Sequence, residues 1–164
     1  NPRPMKNRDR RWLIIPATLI LALFLNVLPY PGWLAFARPD WVTLALFYWC
    51  LATPQWVGIG SGWLMGLMLD LLQYTLLGQH ALGKALVAAV ARPRLRLRPL
   101  WQQCAVVAVV AALDIGIVVW VHHVASGVEV RLCYWQSAVV TALLWPVAYT
   151  VMRKLRQRSG LVRA

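Results

Sequence analysis

The sequence predicts an all-α integral membrane protein of six transmembrane helices, and three observations carry that reading. Of its 164 residues, 60% are hydrophobic and only 13% charged, a composition typical of membrane chains. The apolar residues come in long runs rather than narrow stripes. About 20 of them make one crossing, because a helix rises about 1.5 Å per residue through a hydrocarbon core roughly 30 Å thick. Finally, 14 of the 17 Lys and Arg residues fall in three clusters, at 3–11, 92–98 and 153–163. They lie at alternate ends of the apolar runs, as the positive-inside rule asks of segments on one side of a membrane.

Taken in order, residues 1–11 form a basic tail. Met5 opens MKNRDRRW, so NPRP is read as an added or truncated start and set apart. The first run, 12–28, follows basic residues as a signal peptide would, but no small-residue cleavage site and soluble domain come after it, so it is expected to be a retained helix. The second, 41–53, is short and held between Pro39 and Pro54, which end helices; a partly re-entrant course is its alternative. The third, 56–77, has full spanning length. The fourth, 81–92, is short and is expected to extend outward, its arginines snorkelling to the headgroups. The fifth, 100–124, and sixth, 132–152, are long, and residues 153–164 form a second basic tail. Four crossings before the 92–98 cluster and two after it put all three basic segments, and both termini, on the cytoplasmic side. The membrane domain is then 12–152, with outer loops at 29–40, 78–80 and 122–131 that are too small for an aqueous catalytic module. Tyr30, Trp33 and Trp41, and likewise Trp12, Trp101 and Trp135, fall where an interfacial aromatic belt belongs.

The net charge of +12 would suggest nucleic acid in a soluble chain. Distributed as it is here, it points to membrane orientation and anionic lipid headgroups instead. Cys50, Cys104 and Cys133 form no CxxC pair and are read as packing residues. His122 and His123 are adjacent, so they miss the i, i+4 spacing that grips a metal, and no metal or cofactor is expected. An intramembrane aspartyl protease would need a GxGD-like turn, whereas Asp70 follows LML and Asp114 follows AAL. No nucleophile and base can be assembled, and the chain is expected not to be an enzyme.

The most telling stretch is GWLMGLMLDLL, residues 62–72. Gly58, Gly62, Gly66 and Asp70 recur every four residues and so form one slowly curving helical ridge. Gly62 and Gly66 make a GxxxG, whose missing side chains let another helix approach. A carboxylate facing lipid is costly, so Asp70 should be protonated or paired, and Lys84, one turn into the next run, is within reach. Read structurally, that pair fixes the third helix to the fourth. Read functionally, the same polar spot receives a partner helix or a small ligand. Asp114 is the second acid at membrane depth. A further small-residue ridge, Cys104, Ala108, Ala112 and Gly116, shares its helix, but Asp114 lies about 200° around from Ala112 and should face a different neighbour.

These residues also carry a family resemblance. RPDWVTLALFYWCLATP, GIGSGWLMGLMLDLLQYTLLGQHALGKAL, LWQQ and LWP before a basic tail resemble, in order and helix count, the rod shape-determining membrane protein MreD family. The matching positions are Arg38, Pro39, Trp41, Gly62, Gly66, Asp70, Leu77, Gly78 and Leu82, with Trp101 to Gln103 and Trp145 to Pro146 downstream. The resemblance implies a non-enzymatic inner-membrane component of the bacterial elongation machinery. Its partners would be the bitopic protein MreC, through it the peptidoglycan glycosyltransferase and transpeptidase that build the lateral wall, and MreB filaments inside. The implied fold is similar to the six-helix substrate-binding components of vitamin transporters, which keeps a small-molecule pocket around Asp70 open as an alternative. On the partner-binding reading, Gly58, Gly62, Gly66 and Asp70 form the docking ridge, joined at the outer loop by Arg38 and Trp41.

Overall fold

The computed structural model describes residues 13–32, 38–127 and 134–158. Among them are six helices and no strand: α1 (Ile14–Val27), α2 (Trp41–Ala52), α3 (Ile59–Leu72), α4 (Gln79–Val90), α5 (Leu100–Ser126) and α6 (Tyr134–Arg158), with a 3-10 turn, Pro93–Leu97, between α4 and α5. The basic tail at 1–11, Trp12, Trp33, the loop residues Arg131 and Cys133, and the last six residues of the 153–164 tail lie outside the described residues, whereas residues 153–158 of that tail continue α6.

The boundaries follow local chemistry. Asp40 caps α2, accepting a hydrogen bond from the Thr43 backbone at 3.0 Å, and Pro54 follows its other end. At the start of α3, Ser61 Oγ accepts from Gly58 N at 2.9 Å and donates to Gly58 O at 2.7 Å. Helix α5 ends at Gly127, whose φ of 62° is the left-handed conformation that glycine adopts without strain.

Helix α2 is the centre of the molecule: ten of its twelve residues are buried. It packs against α1, α4, α6 and the 3-10 turn, as an all-round apolar helix should. Trp49 Nε1 donates to Thr18 Oγ1 of α1 at 2.8 Å. Phe47 meets Trp145 edge to face, with ring centroids 5.1 Å apart, and Tyr48 meets Tyr149 at 5.8 Å. The ascending order of these contacts along both helices shows that α2 and α6 run parallel.

Two helices, α5 and α6, are long and apolar enough to cross a bilayer. Helices α1, α2 and α3 are apolar but have 12 to 14 residues, or about 18 to 21 Å of rise. The expected 22-residue third span is therefore corrected: the helix stops at Leu72, and the chain turns through Tyr74, at a φ of 52°. The cause is Asp70, whose carboxylate collects the start of the next helix, as described below.

The distribution of polarity is that of a membrane protein. Leu143 is 73% exposed and Ile20 63%, while Thr43, Gln103 and Thr141 are buried. A water-soluble chain sorts these types the opposite way. Trp101 and Trp135 are exposed near the starts of α5 and α6.

Candidate functional site

Lys84 stands at the centre of a buried polar cluster that ties five of the six helices together. It is 1% exposed, and Asp114 is 3% exposed. Lys84 Nζ donates to the carboxylates of Asp40 and Asp114 and, at 2.9 Å, to Thr43 Oγ1, which uses all three of its protons. Thr43 Oγ1 donates in turn to Asp40 Oδ2 at 2.7 Å. From α1, Asn26 Nδ2 donates to Asp40 Oδ1 at 3.1 Å, and Asn26 Oδ1 accepts from Trp41 N at 2.9 Å. From α6, Thr141 Oγ1 accepts from Asp40 N at 2.9 Å. Gly83 makes room for this on α4: a β-carbon there would overlap Asp114 Oδ1.

The expected pairing of Lys84 with Asp70 is thus corrected, because Asp70 serves the backbone. Its Oδ2 accepts from Gly78 N at 2.8 Å, and its Oδ1 accepts from His80 N at 3.1 Å and from Thr75 Oγ1 at 3.2 Å. His80 Nδ1 lies 2.8 Å from Oδ1. Asp70, 1% exposed, is a carboxylate set at the amino end of α4, where the unpaired N–H groups and the helix dipole favour an anion. Gly78 makes the turn possible with a φ of 105°. The carboxylate is a helix cap.

The glycine ridge also has an occupant, and it is internal. A β-carbon on Gly62 would lie 2.5 Å from the Lys84 carbonyl oxygen and 3.0 Å from the Ala88 β-carbon; one on Gly66 would overlap His80 O and Ala81 Cα. Helices α3 and α4 pack there backbone to backbone, antiparallel, so the expected docking of an external helix along Gly62 and Gly66 is corrected to docking of the chain's own next helix. Gly58, by contrast, faces open space.

Arg38 and Trp41 tie the start of α2 to Leu28 and Tyr30 beyond α1. The Arg38 guanidinium donates to Leu28 O at 3.3 Å and sits over the Tyr30 ring, 5.3 Å from its centroid. Arg38 O accepts from Ser137 Oγ of α6. Trp41 Nε1 donates to Tyr30 OH at 2.9 Å. Two motif segments far apart in sequence also meet: Gln103 Oε1 accepts from Trp145 Nε1 at 3.2 Å, and Gln103 Nε2 donates to Arg98 O at 2.9 Å.

Asp40, Thr43 and Thr141 are the site residues that sequence reading missed, whereas Gln103 stood in the LWQQ motif without an assigned contact. The D-x-x-T spacing of Asp40 and Thr43 was the available signal, since it is a helix-capping pattern; nothing local marked Thr141.

The ridge on α5 has a different fate from the one on α3. Cys104 and Ala108 pack toward the core, but Ala112 and Gly116 line an apolar groove of about 430 Å³ with Leu113, Trp120 and Trp135. A β-carbon on Gly116 would meet nothing within 4 Å. Asp114 faces α4 instead, as its angular offset from Ala112 predicts.

With this geometry in view, the model of the family described as rod shape-determining protein MreD matches residues 6–155. The chain belongs to the MreD family. The rod shape-determining protein MreD of Haemophilus influenzae is 32% identical over 157 residues, covering 92% of this chain and 95% of that protein. No solved structure gives a significant match. The MreD family is named for cell shape rather than for a reaction, and membership assigns this chain a cell-shape role in a membrane. The Lys84 cluster, the Asp70 cap and the α5 groove all fall inside the matched MreD segment.

Proposed function

We propose that this chain is a non-enzymatic scaffold of the bacterial inner membrane, crossing it six times with both termini in the cytoplasm. It holds a bitopic partner of the MreC kind and through it helps position the glycosyltransferase and transpeptidase that extend the wall, with MreB filaments on the cytoplasmic side. The observation that carries this reading is the contrast between the buried charges and the α5 groove. Asp40, Asp70, Lys84 and Asp114 all serve contacts between the chain's own helices. The groove beside Ala112 and Gly116 is apolar and open on a helix long enough to cross. At that depth a partner segment must satisfy its backbone internally, so the occupant that fits is a single transmembrane helix. Small residues there allow the close approach on which membrane helices depend. The short α1–α4 are accommodated by local thinning and by interfacial side chains.

The test is co-purification of the bitopic partner with full-length Gly116→Leu and Ala112→Leu variants. Loss of the partner with membrane insertion and melting unchanged is expected. Full retention by both variants overturns the groove assignment.

A further inference from the structure

At the end of the molecule opposite the Lys84 cluster, α2, the 3-10 turn and α6 enclose a second cavity, of about 190 Å³. That is room for roughly six waters. Arg96 of the turn and Arg153 and Arg156 of α6 line it, together with Tyr48 and Tyr149 and an apolar wall at Leu51 and Ala52. All three guanidinium groups are close enough to act electrostatically on Tyr48. None of the described residues that line it is a carboxylate.

We propose that Arg96, Arg153 and Arg156, with Tyr48 and Tyr149, form a binding site for the phosphate group of an anionic lipid. Guanidinium forks match phosphate oxygens two at a time and tyrosine adds a neutral hydroxyl donor, so the lining offers what a tetrahedral oxyanion needs. Arg153 and Arg156 are three residues apart on α6 and therefore share a face, while Arg96 reaches in from a separate segment. Convergence from two segments distinguishes a built pocket from the diffuse attraction of a basic surface. Leu51 and Ala52 give the carbon skeleton of a headgroup an apolar wall. A bound phosphate bridges the 3-10 turn to the carboxyl-terminal end of α6, two elements that carry like charge. The site is independent of which partner occupies the α5 groove.

The experiment measures the melting midpoint of the full-length protein in nanodiscs of phosphatidylcholine, with and without phosphatidylglycerol. A further arm adds inorganic phosphate at matched ionic strength to the phosphatidylcholine nanodiscs. Arg96→Gln and Arg153→Gln remove pocket charges from exposed positions, whereas Arg94→Gln and Arg158→Gln remove the same charge outside the lining. Each variant is compared with its own midpoint in phosphatidylcholine alone. Phosphatidylglycerol is expected to raise the midpoint of the unaltered protein by several degrees. Its apparent affinity should fall about tenfold in each pocket variant, the scale of a lost charge-assisted hydrogen bond, and stay unchanged in the two controls. A shift produced equally by inorganic phosphate, and lost in the pocket variants, supports the phosphate site and makes free phosphate its source. Equal losses in all four variants, or no shift with either probe, overturns the proposal.

Discussion

Two ridges of small residues run through this molecule, and they meet opposite fates. On α3, Gly62 and Gly66 are covered by α4 so closely that neither tolerates a β-carbon. On α5, Ala112 and Gly116 border an apolar groove, and Gly116 has open space before it. The sequence pattern of the two is alike. Small residues therefore announce that a helix can come close; whether it is the chain's own or another's depends on what the connecting turn allows. After α3 the chain has only residues 73–78 before α4 begins, and Asp70 pulls the new helix back by its first N–H groups. Gly116 is instead bordered by the side chains of Trp120 and Trp135, and no backbone among the described residues covers it.

The sharpest way to break the comparison is to fill the closed ridge. Gly66→Leu is expected to prevent stable folding, since the added side chain collides with backbone of α4 rather than with a movable side chain. A monodisperse variant of unaltered melting would show that α4 does not seat there. Next in size is Lys84→Met, which strands two carboxylates in the interior and should cost about 3 to 5 kcal/mol. Pairing it with Asp114→Leu should recover part of that loss, and a double-mutant cycle reads the coupling. Additive losses would mean that the two residues act separately. Asp70→Asn keeps one acceptor oxygen and should cost about 1 kcal/mol, in the range of a lost helix cap. Faster hydrogen exchange confined to the amides of Gly78, His80 and Ala81 is its expected signature; uniform acceleration across the bundle would contradict the capping role. The smallest effect on stability belongs to Gly116→Leu, within about 0.5 kcal/mol, as for other substitutions into open surroundings. That variant sharpens the contrast by losing the bitopic partner while melting normally.

The helices themselves were legible in the sequence because apolar runs and prolines state their limits locally. All six runs contain a helix, although the third ends five residues short of the run, at Leu72. The turn at Gly78 was legible for the same reason. Partnerships between charges were harder. Lys84 reaches Asp40 across 44 residues and Asp114 across 30, and proximity in sequence pointed instead to Asp70, which the α4 backbone had already claimed. Burial was equally hidden for α2: its sequence resembles the other runs, yet it forms the core because α1, α4 and α6 surround it. Those neighbours follow from topology, which no local window contains.

The Lys84 cluster has a consequence for the order in which the protein enters a membrane. Asp40 leaves the ribosome first, Lys84 follows 44 residues later, and Asp114 another 30 after that. Chains are built and organised from the amino terminus. The first acid and the lysine can therefore neutralise each other while α5 is still being synthesised. The carboxylate of α5 is the last of the three groups to be synthesised. The earlier half of the protein thus carries the ammonium that the carboxylate of the later half requires.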